Sequence, residues 1–261
     1  MREFKGLEGW IRRHFTIYRL VRKSAPFLCR FVTLEEGFDF LGCIKPLSEQ
    51  HLALDIGAND GTSIRMIKQY LPTARIVAFD PVTRPNFDIT GIDFREIALG
   101  SKPGSFEIFT PIVKSHRLTQ YSSFQKAKML NQLVHDLGIS ENEVKVDTKN
   151  VEVVELDSLE LEVFFMKIDV EGFELDVLEG ARSTIASFLP VILIEIQSAS
   201  TFEKVKVFLG ELGYFSVLVQ PKANLNSKLI EKNRSDTYNS DFNNYIWVPG
   251  SKAPSWTFRH Q

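Results

Sequence analysis

Cysteine is scarce in this chain of 261 residues, which contains only Cys29 and Cys43. Two cysteines cannot form a disulfide framework or a four-thiolate zinc site, so we expect the protein in a reducing compartment. Long apolar runs are also missing, and no stretch approaches the ~20 apolar residues that cross a bilayer. Near the start, basic residues interrupt every apolar run before it reaches the length of a secretory signal. We therefore expect a soluble, cytoplasmic protein with no transmembrane segment.

Net charge is nearly absent as well. It is −2 for the whole chain, which argues against a general nucleic-acid binder, so we expect no nucleic-acid partner. The charge is unevenly placed, because residues 1–30 carry eight basic and two acidic side chains. Apolar residues at helical spacing over residues 7–32 predict a basic amphipathic helix. This helix could make a peripheral or subunit contact with an anionic surface, or it could cover the acidic body of its own domain.

Composition and hydrophobic pattern indicate a globular α/β protein. The chain is 44% hydrophobic and 25% charged, as is typical of soluble domains. After residue 50, short apolar strands alternate with amphipathic helices, which predicts a mostly parallel sheet covered by helices on both faces. We predict strands at 51–56, 75–79, 93–97, 151–156, 163–168, 191–196, 214–219 and 245–248, a hairpin from 98–100 into 105–109, and helices at 64–71, 118–137, 175–188 and 202–212.

A glycine turn with Gly57 and Gly61 follows the first of these strands. Glycines at a strand-to-helix turn let a ligand approach the backbone closely, and the helix N–H groups can hold an anion. Asp80 ends the next strand, where a carboxylate can accept hydrogen bonds from both hydroxyls of a ribose. The middle glycine of the dinucleotide pattern G-x-G-x-x-G is missing, and Asp55 suits a ligand with an ammonium group. The pattern predicts an adenosine-containing ligand such as S-adenosylmethionine, and a purely structural turn is the alternative.

A second group of polar residues follows the strand at 163–168. The run from Phe165 to Ala181, FMKIDVEGFELDVLEGA, resembles the signature of the FkbM family of S-adenosylmethionine-dependent methyltransferases. The family usually has Glu at the position of Asp80. The resemblance extends over about residues 50–250 and includes the segments Val154–Leu159, Asp55–Thr62, Phe79–Pro81 and Pro190–Ile196.

The resemblance implies an α/β, Rossmann-like class I methyltransferase fold with a seven-stranded, mostly parallel sheet. We expect this domain over 49–250, between a basic helical extension at 1–48 and a tail at 251–261. The resemblance also implies methylation of a hydroxyl on a sugar, glycan or other secondary metabolite, with S-adenosylmethionine as the cofactor. The cofactor-binding residues that we expect are Asp55, Gly57, Ala58, Asn59, Gly61, Asp80, Ala98 and Ser123.

The candidate catalytic residues are Lys167, Asp169, Glu171 and Glu195, which lie at the ends of neighbouring predicted strands. One of the acids could take the proton of the acceptor hydroxyl. Alternatively, Asp169 and Glu195 could bind Mg²⁺, or Asp169 could only position the cofactor. Two other interpretations of the chain stay open, a nicotinamide-dependent oxidoreductase and a non-catalytic binding or assembly protein that keeps the fold.

Overall fold

The computed structural model describes residues 37–46, 51–85, 91–217, 236–239, 243–250 and 256–258. The predicted basic helix at 7–32 lies outside the described residues. The described residues form two compact units, a smaller one at Glu107–Lys149 and a larger one made of the others. No helix in this part of the chain is both long enough and apolar enough to cross a membrane.

The helices are α1 (Thr62–Tyr70), α2 (Lys126–Leu137), α3 (Glu174–Glu179), α4 (Arg182–Phe188) and α5 (Ala199–Glu211), and a short 3-10 helix lies at Phe38–Cys43. The strands are β1 (Ile44–Pro46), β2 (Leu52–Ile56), β3 (Arg75–Phe79), β4 (Ile92–Arg95), β5 (Ala98–Leu99), β6 (Gly104–Val113), β7 (His116–Arg117), β8 (Val144–Val154), β9 (Val163–Ile168), β10 (Val191–Glu195), β11 (Tyr214–Val217), β12 (Asn244–Pro249) and β13 (Trp256–Phe258).

A seven-stranded sheet forms the centre of the larger unit, in the order β11-β12-β10-β9-β2-β3-β4. Its strands are parallel except for β12, which runs antiparallel to both β10 and β11. The strand order reverses between β2 and β9, and ligands of open α/β sheets bind beside the carboxyl ends of strands at such a switch point. The prediction of a mostly parallel, seven-stranded sheet is confirmed.

Helices cover both faces of this sheet, as expected for central strands that are buried along their whole length. On one face, α1 and the 3-10 helix pack against a set of side chains that includes Ala53, Phe165 and Leu193. On the opposite face, α3, α4 and α5 pack against the alternate residues, among them Leu54 and Met166. The alternation follows from the two-residue period of a β-strand.

In the smaller unit, the helix predicted over 118–137 begins only at Lys126. A short 3-10 helix at Thr119–Tyr121 precedes it, and the chain is then extended at Ser123, which exchanges two backbone hydrogen bonds with Phe109 of β6. Gly138 ends the helix in the left-handed conformation with φ 64°, as the sequence predicts. The apolar stripe therefore predicted a helix correctly but placed its start too early.

Two other predictions are wrong, one of a hairpin and one of a continuous helix. Ala98 of β5 pairs in parallel with Val153 of β8 rather than forming a hairpin with β6, because β8 lies between them in the order β5-β8-β6-β7. The helix predicted over 175–188 is divided into α3 and α4 at Gly180. A Cβ on Gly180 would lie 2.1 Å from the carbonyl oxygen of Gly100, so a close backbone contact occupies the position of the break.

Asp157 caps the second of these helices from a distant part of the chain. Its carboxylate accepts bonds from the N–H groups of Ser183 at 2.9 Å and Thr184 at 2.8 Å, and from the Thr184 hydroxyl at 2.8 Å. It thereby replaces an N-cap side chain, which Ala181 cannot supply. Partial burial raises the pKa of Asp157, but these hydrogen bonds outweigh it and hold the pKa below its usual value.

We expect Asp157→Ala to lower the free energy of unfolding by ~1–2 kcal/mol at neutral pH, the usual cost of a lost helix cap. Because the folded-state pKa is lowered, this contribution is present above the unfolded-state pKa and is lost as the pH falls through the folded-state value. Urea unfolding from neutral to acidic pH measures it. The exposed Glu179 provides the control, since Glu179→Ala should stay within ~0.5 kcal/mol of wild type. A pH-independent loss in Asp157→Ala would contradict the capping role.

Candidate active site

The carboxyl ends of four parallel strands lie level with one another beside the switch point. Ile56 of β2 is paired with Phe79 of β3 and with Ile168 of β9. Ile168 is in turn paired with Ile194 of β10. The strand register therefore brings the next residue of each strand to one edge of the sheet, and these are predicted site residues: Gly57, Asp80, Asp169 and Glu195.

Gly57 and Gly61 shape the turn between β2 and α1. Their φ angles are 84° and 82°, in the left-handed region that favours glycine. The N–H groups of Gly57 and Ala58 donate to the carbonyl of Phe79 at 2.9 and 3.1 Å, which holds the turn against β3. A Cβ on Gly57 would lie 1.7 Å from the backbone oxygen of Asp169. The turn and the end of β9 therefore approach more closely than any side chain at this position allows.

The Asp80 carboxylate braces the turn from β3. Its Oδ2 accepts from the N–H of Asn59 at 2.8 Å, and its Oδ1 accepts from the N–H groups of Val82 and Thr83 at 2.8 and 2.7 Å. Burial raises the pKa of Asp80; the three hydrogen bonds oppose this rise, and the charge of Asp169 adds to it. A carboxylate has about four lone-pair sites, so these bonds leave capacity for one further hydroxyl rather than two.

Asp55 lies beneath the turn, with no exposed surface. Its Oδ2 accepts a hydrogen bond of 2.6 Å from the hydroxyl of Ser63, which belongs to the first turn of α1. Asp60 supports the same helix end, since its Oδ1 accepts from the N–H and the hydroxyl of Thr62. The burial of Asp55 favours a role in holding the helix against β2 over direct contact with a ligand. Ser63 was not predicted, because its link to Asp55 depends on how α1 packs.

Lys167 and Asp169 form an ion pair at the end of β9. The distance from Nζ of Lys167 to Oδ2 of Asp169 is 2.7 Å, and the two side chains are 2% and 26% exposed. The N–H of Asp169 also donates to the carbonyl of Ile56 at 3.0 Å, which ties the residue to β2. Of the two charged groups, the carboxylate is the one that reaches the surface.

Glu171 lies in the turn after β9 with φ 52°, a conformation that is uncommon for a residue with a side chain. Its Oε2 accepts a hydrogen bond of 2.9 Å from the amide of Gln197, which follows β10. The bond joins the turns at two neighbouring strand ends. Backbone strain of this kind is concentrated at functional sites. Gln197 was not predicted, and its position just beyond a strand end is the signal that could have identified it.

Comparison with known proteins identifies the chain. The family model described as the methyltransferase FkbM domain matches residues 55–216, which is more than half of the sequence. The chain belongs to the FkbM methyltransferase family. The matched residues include the glycine turn, Asp80 and the ion pair at the end of β9, and the predicted resemblance is confirmed. The protein is therefore a methylating enzyme.

Individual relatives of this FkbM-family chain are distant. It is 25% identical over 224 residues to "Methyltransferase 1" of Beauveria bassiana (strain ARSEF 2860), covering 79% of this chain and 88% of that protein. It is 13% identical to the crystal structure of a methyltransferase FkbM from Methylobacillus flagellatus KT, with a TM-score of 0.39, covering 77% of this chain and 44% of that one. It is 12% identical to a precorrin-6y C5,15-methyltransferase from Geobacter metallireducens GS-15, with a TM-score of 0.33, covering 77% of this chain and 80% of that one. The chain thus spans less than half of the length of the first of these two structures.

Ala98 and Ser123 are the remaining cofactor residues that the FkbM resemblance predicts. Ala98 is buried in β5, which belongs to the four-stranded sheet rather than to the seven-stranded one. Ser123 is buried in the smaller unit, where its hydroxyl accepts from the N–H of Gln125 at 3.2 Å. These contacts describe structural surroundings, and both cofactor roles stay predictions.

The Mg²⁺ hypothesis concerns two acids of this FkbM-family site. Within the described ranges, no group of three or more His, Cys, Asp or Glu side chains is arranged to hold a metal ion. Asp169 has the Lys167 ammonium beside its carboxylate, and Glu195 is paired in the sheet with Asn244 of β12. The hypothesis therefore depends on the chemistry of two carboxylates alone and stays a prediction.

Proposed function

We propose that the chain is an S-adenosylmethionine-dependent O-methyltransferase that acts on a hydroxyl of a sugar, glycan or other small secondary metabolite. The observation that supports this most strongly is the strand register, which sets the Gly57 turn, Asp80 and Asp169 side by side. A glycine turn with an acid on the next strand suits the cofactor, and a solvent-reaching carboxylate suits an acceptor that must lose a proton. Membership of the FkbM family supplies the methyl transfer itself.

The residues of the turn fit S-adenosylmethionine by their donors and acceptors. Asp80 keeps acceptor capacity for one ribose hydroxyl, and Gly57, Asn59 and Asp60 of the turn remain partly exposed. Asp55 supports the turn from below through Ser63. When bound, S-adenosylmethionine supplies a methyl group on a sulfonium, which an acceptor oxygen can attack in line.

Asp169 is the general base in this proposal. Methyl transfer requires the acceptor oxygen to be held close and aligned, and it requires removal of the hydroxyl proton. The Asp169 carboxylate is partly exposed, level with the glycine turn, and fixed through its backbone to β2. Glu171 is the second candidate, because Gln197 orients its carboxylate at the same edge of the sheet.

Calorimetric titration with S-adenosylmethionine, S-adenosylhomocysteine and NAD⁺ in parallel tests the cofactor. We expect both adenosyl ligands to bind and NAD⁺ not to bind, because the turn lacks the middle glycine of the dinucleotide pattern. Binding of NAD⁺ alone would restore the oxidoreductase interpretation. Binding of none of the three would favour the non-catalytic interpretation.

Transfer of tritiated methyl groups from S-adenosylmethionine then tests the acceptor. The panel pairs free sugars and phenols with the same compounds carrying blocked hydroxyls, and it includes amines of similar size. We expect label in the free-hydroxyl compounds alone. Parallel reactions with a chelator, and with Mg²⁺ added back, test the metal hypothesis. Label that appears in amines instead of hydroxyls would contradict O-methylation.

We expect Asp80→Ala to weaken S-adenosylmethionine binding by ~1–3 kcal/mol, because it removes a charged hydrogen-bond acceptor. Since burial raises the pKa of Asp80, the wild-type affinity should also fall on acidification at a higher pH than an ordinary aspartate would cause. Calorimetry over a pH series measures both effects. Asp93→Ala removes an exposed carboxylate that pairs with Arg95 and should bind as wild type does. Unchanged affinity in a folded Asp80→Ala protein would contradict the ribose role.

A further inference from the structure

Lys167 is almost completely buried, although lysine is among the residues least often found inside a protein. It is paired in the sheet with Asp55 of β2 and Leu193 of β10, so the three side chains lie on the same face. That face is covered by α1 and carries many apolar side chains, together with the Ser63 hydroxyl that is bonded to Asp55. A charge placed there must be compensated, because an uncompensated buried ion is strongly destabilising.

The Lys167 ammonium compensates its charge by donating to Oδ2 of Asp169 at 2.7 Å. With its side chain 2% exposed, Lys167 cannot contact an acceptor molecule, whereas the Asp169 side chain is 26% exposed. The ion pair therefore has one end inside the protein and one end at the strand edge. Asp169 is held at two points, its N–H by the carbonyl of Ile56 and its carboxylate by Lys167.

Acidic residues surround this pair on every neighbouring strand. Asp80, after β3, interacts electrostatically with Asp169. The other acids of these elements are Asp55 on β2, Glu171 and Glu174 after β9, and Glu195 on β10, while α1 carries Arg65 and the exposed Lys68. Negative neighbours repel a carboxylate and can turn it away from its working position. An ammonium bonded directly to Asp169 opposes this displacement.

We infer that Lys167 is a positioning residue for methyl transfer, whose ammonium holds the Asp169 carboxylate oriented toward the acceptor hydroxyl. This inference rests on the proposed function. In the step itself, the hydroxyl proton passes to Asp169 and the acceptor oxygen forms a bond to the methyl carbon. The carbon–sulfur bond breaks, and its electron pair stays on sulfur in the thioether product. Lys167 keeps its own proton throughout and acts only through Asp169.

Four proteins test the coupling of the pair without any ligand: the wild type, Lys167→Met, Asp169→Asn and the double variant. Asp169→Asn removes a carboxylate that is bonded to a buried ammonium, so we expect it to unfold at a lower urea concentration than the double variant, which removes both members of this ion pair. This order can be measured whether or not an acceptor is known. A double variant that is no more stable than Asp169→Asn would overturn the inference.

Turnover of the same proteins tests the positioning role, with the acceptor found in the hydroxyl panel. We expect Lys167→Met to reduce kcat on the order of 10–100-fold, with the affinity for S-adenosylmethionine and the acceptor KM nearly unchanged. Lys167→Arg keeps the charge and should recover part of kcat. The double variant should be no slower than Asp169→Asn, because Lys167 acts through Asp169. Lys204→Met on the exposed side of α5 is the matched control and should keep full activity.

The outcomes separate this inference from the function on which it rests. A wild-type protein that binds S-adenosylmethionine but labels no hydroxyl overturns the proposed function, and the role of Lys167 in transfer with it. A wild-type protein that labels hydroxyls while Lys167→Met keeps its kcat overturns the inference alone. If Lys167→Met does not fold, the kcat values of Lys167→Arg and of the double variant are compared with that of Asp169→Asn instead. The inference is also overturned if the double variant is slower than Asp169→Asn by the same factor by which Lys167→Arg or Lys167→Met is slower than the wild type. Such a result would show that Lys167 acts independently of Asp169.

Discussion

Gly57→Ala is expected to lower the free energy of unfolding by about 3 kcal/mol or more and to abolish methyl transfer. Gly57 has φ 84°, and a Cβ there would lie 1.7 Å from the backbone oxygen of Asp169 and 2.8 Å from its carbonyl carbon. Neither neighbouring atom can rotate away, because both belong to the main chain of the adjacent strand end. The substitution must therefore separate β2 from β9 where the proposed cofactor turn meets the proposed base. Urea unfolding and tritium transfer measure the two losses.

Gly210 provides the matched control for this substitution. It lies within α5 without a positive φ, and a Cβ there would meet no other atom within 4 Å among the described residues. Gly210→Ala should leave activity unchanged and raise stability by up to ~1 kcal/mol, as alanine does inside a helix. A Gly57→Ala protein that remains as stable and active as this control would show that the close approach of the two strand ends does not exist.

The sequence predicted the positions of the candidate site residues well where local pattern determines structure. Buried parallel strands are short apolar runs, so the end of each run marks a strand end within a residue or two. Asp80 and Asp169 each follow such a run directly, and the register places them level with Gly57. The rule that ligands bind at the carboxyl ends of parallel strands then leads from the pattern to the site. No knowledge of side-chain packing was needed for this step.

The parts that the sequence did not predict depend on contacts between distant segments. The division of the helix at Gly180 follows from a close contact with Gly100, and the cap of α4 comes from Asp157. Neither contact leaves a periodic signal in the chain. Gln197 lies just beyond a strand end, which is a signal in the sequence, but its contact with Glu171 depends on the fold.

Lys167 combines a feature that local pattern predicts with one that depends on contacts between distant segments. Strand alternation places Lys167 and Asp169 on the same side of β9, and the sequence indicates as much. It does not indicate that Lys167 is buried while Asp169 is partly exposed, because this depends on how far α1 covers the strand end. The structure therefore places Lys167, one of the candidate catalytic residues, in contact with Asp169 and away from the surface.

Asp169→Asn is expected to slow methyl transfer by ~10²–10⁴-fold, the usual contribution of a positioned general base, while S-adenosylmethionine binding stays within a few-fold of wild type. Asparagine keeps the shape of the side chain but cannot take a proton from the acceptor. Since the substitution also removes a carboxylate that is bonded to the buried Lys167 ammonium, kcat is measured well below the unfolding midpoint and again in the Lys167→Met/Asp169→Asn double variant. Asp93→Asn, which changes an exposed carboxylate on β4, is the control and should keep full activity.

The pattern of losses distinguishes the three roles open to Asp169. A general base loses kcat and keeps cofactor affinity, whereas a residue that only positions the cofactor loses affinity first. A metal ligand makes turnover sensitive to chelator in the wild type and shifts the Mg²⁺ concentration that the variant requires. Glu171→Gln is measured in parallel, because the hydrogen bond from Gln197 makes Glu171 the next candidate base. If Glu171→Gln is inactive while Asp169→Asn keeps its kcat, the base lies in the strained turn after β9 rather than at the end of the strand.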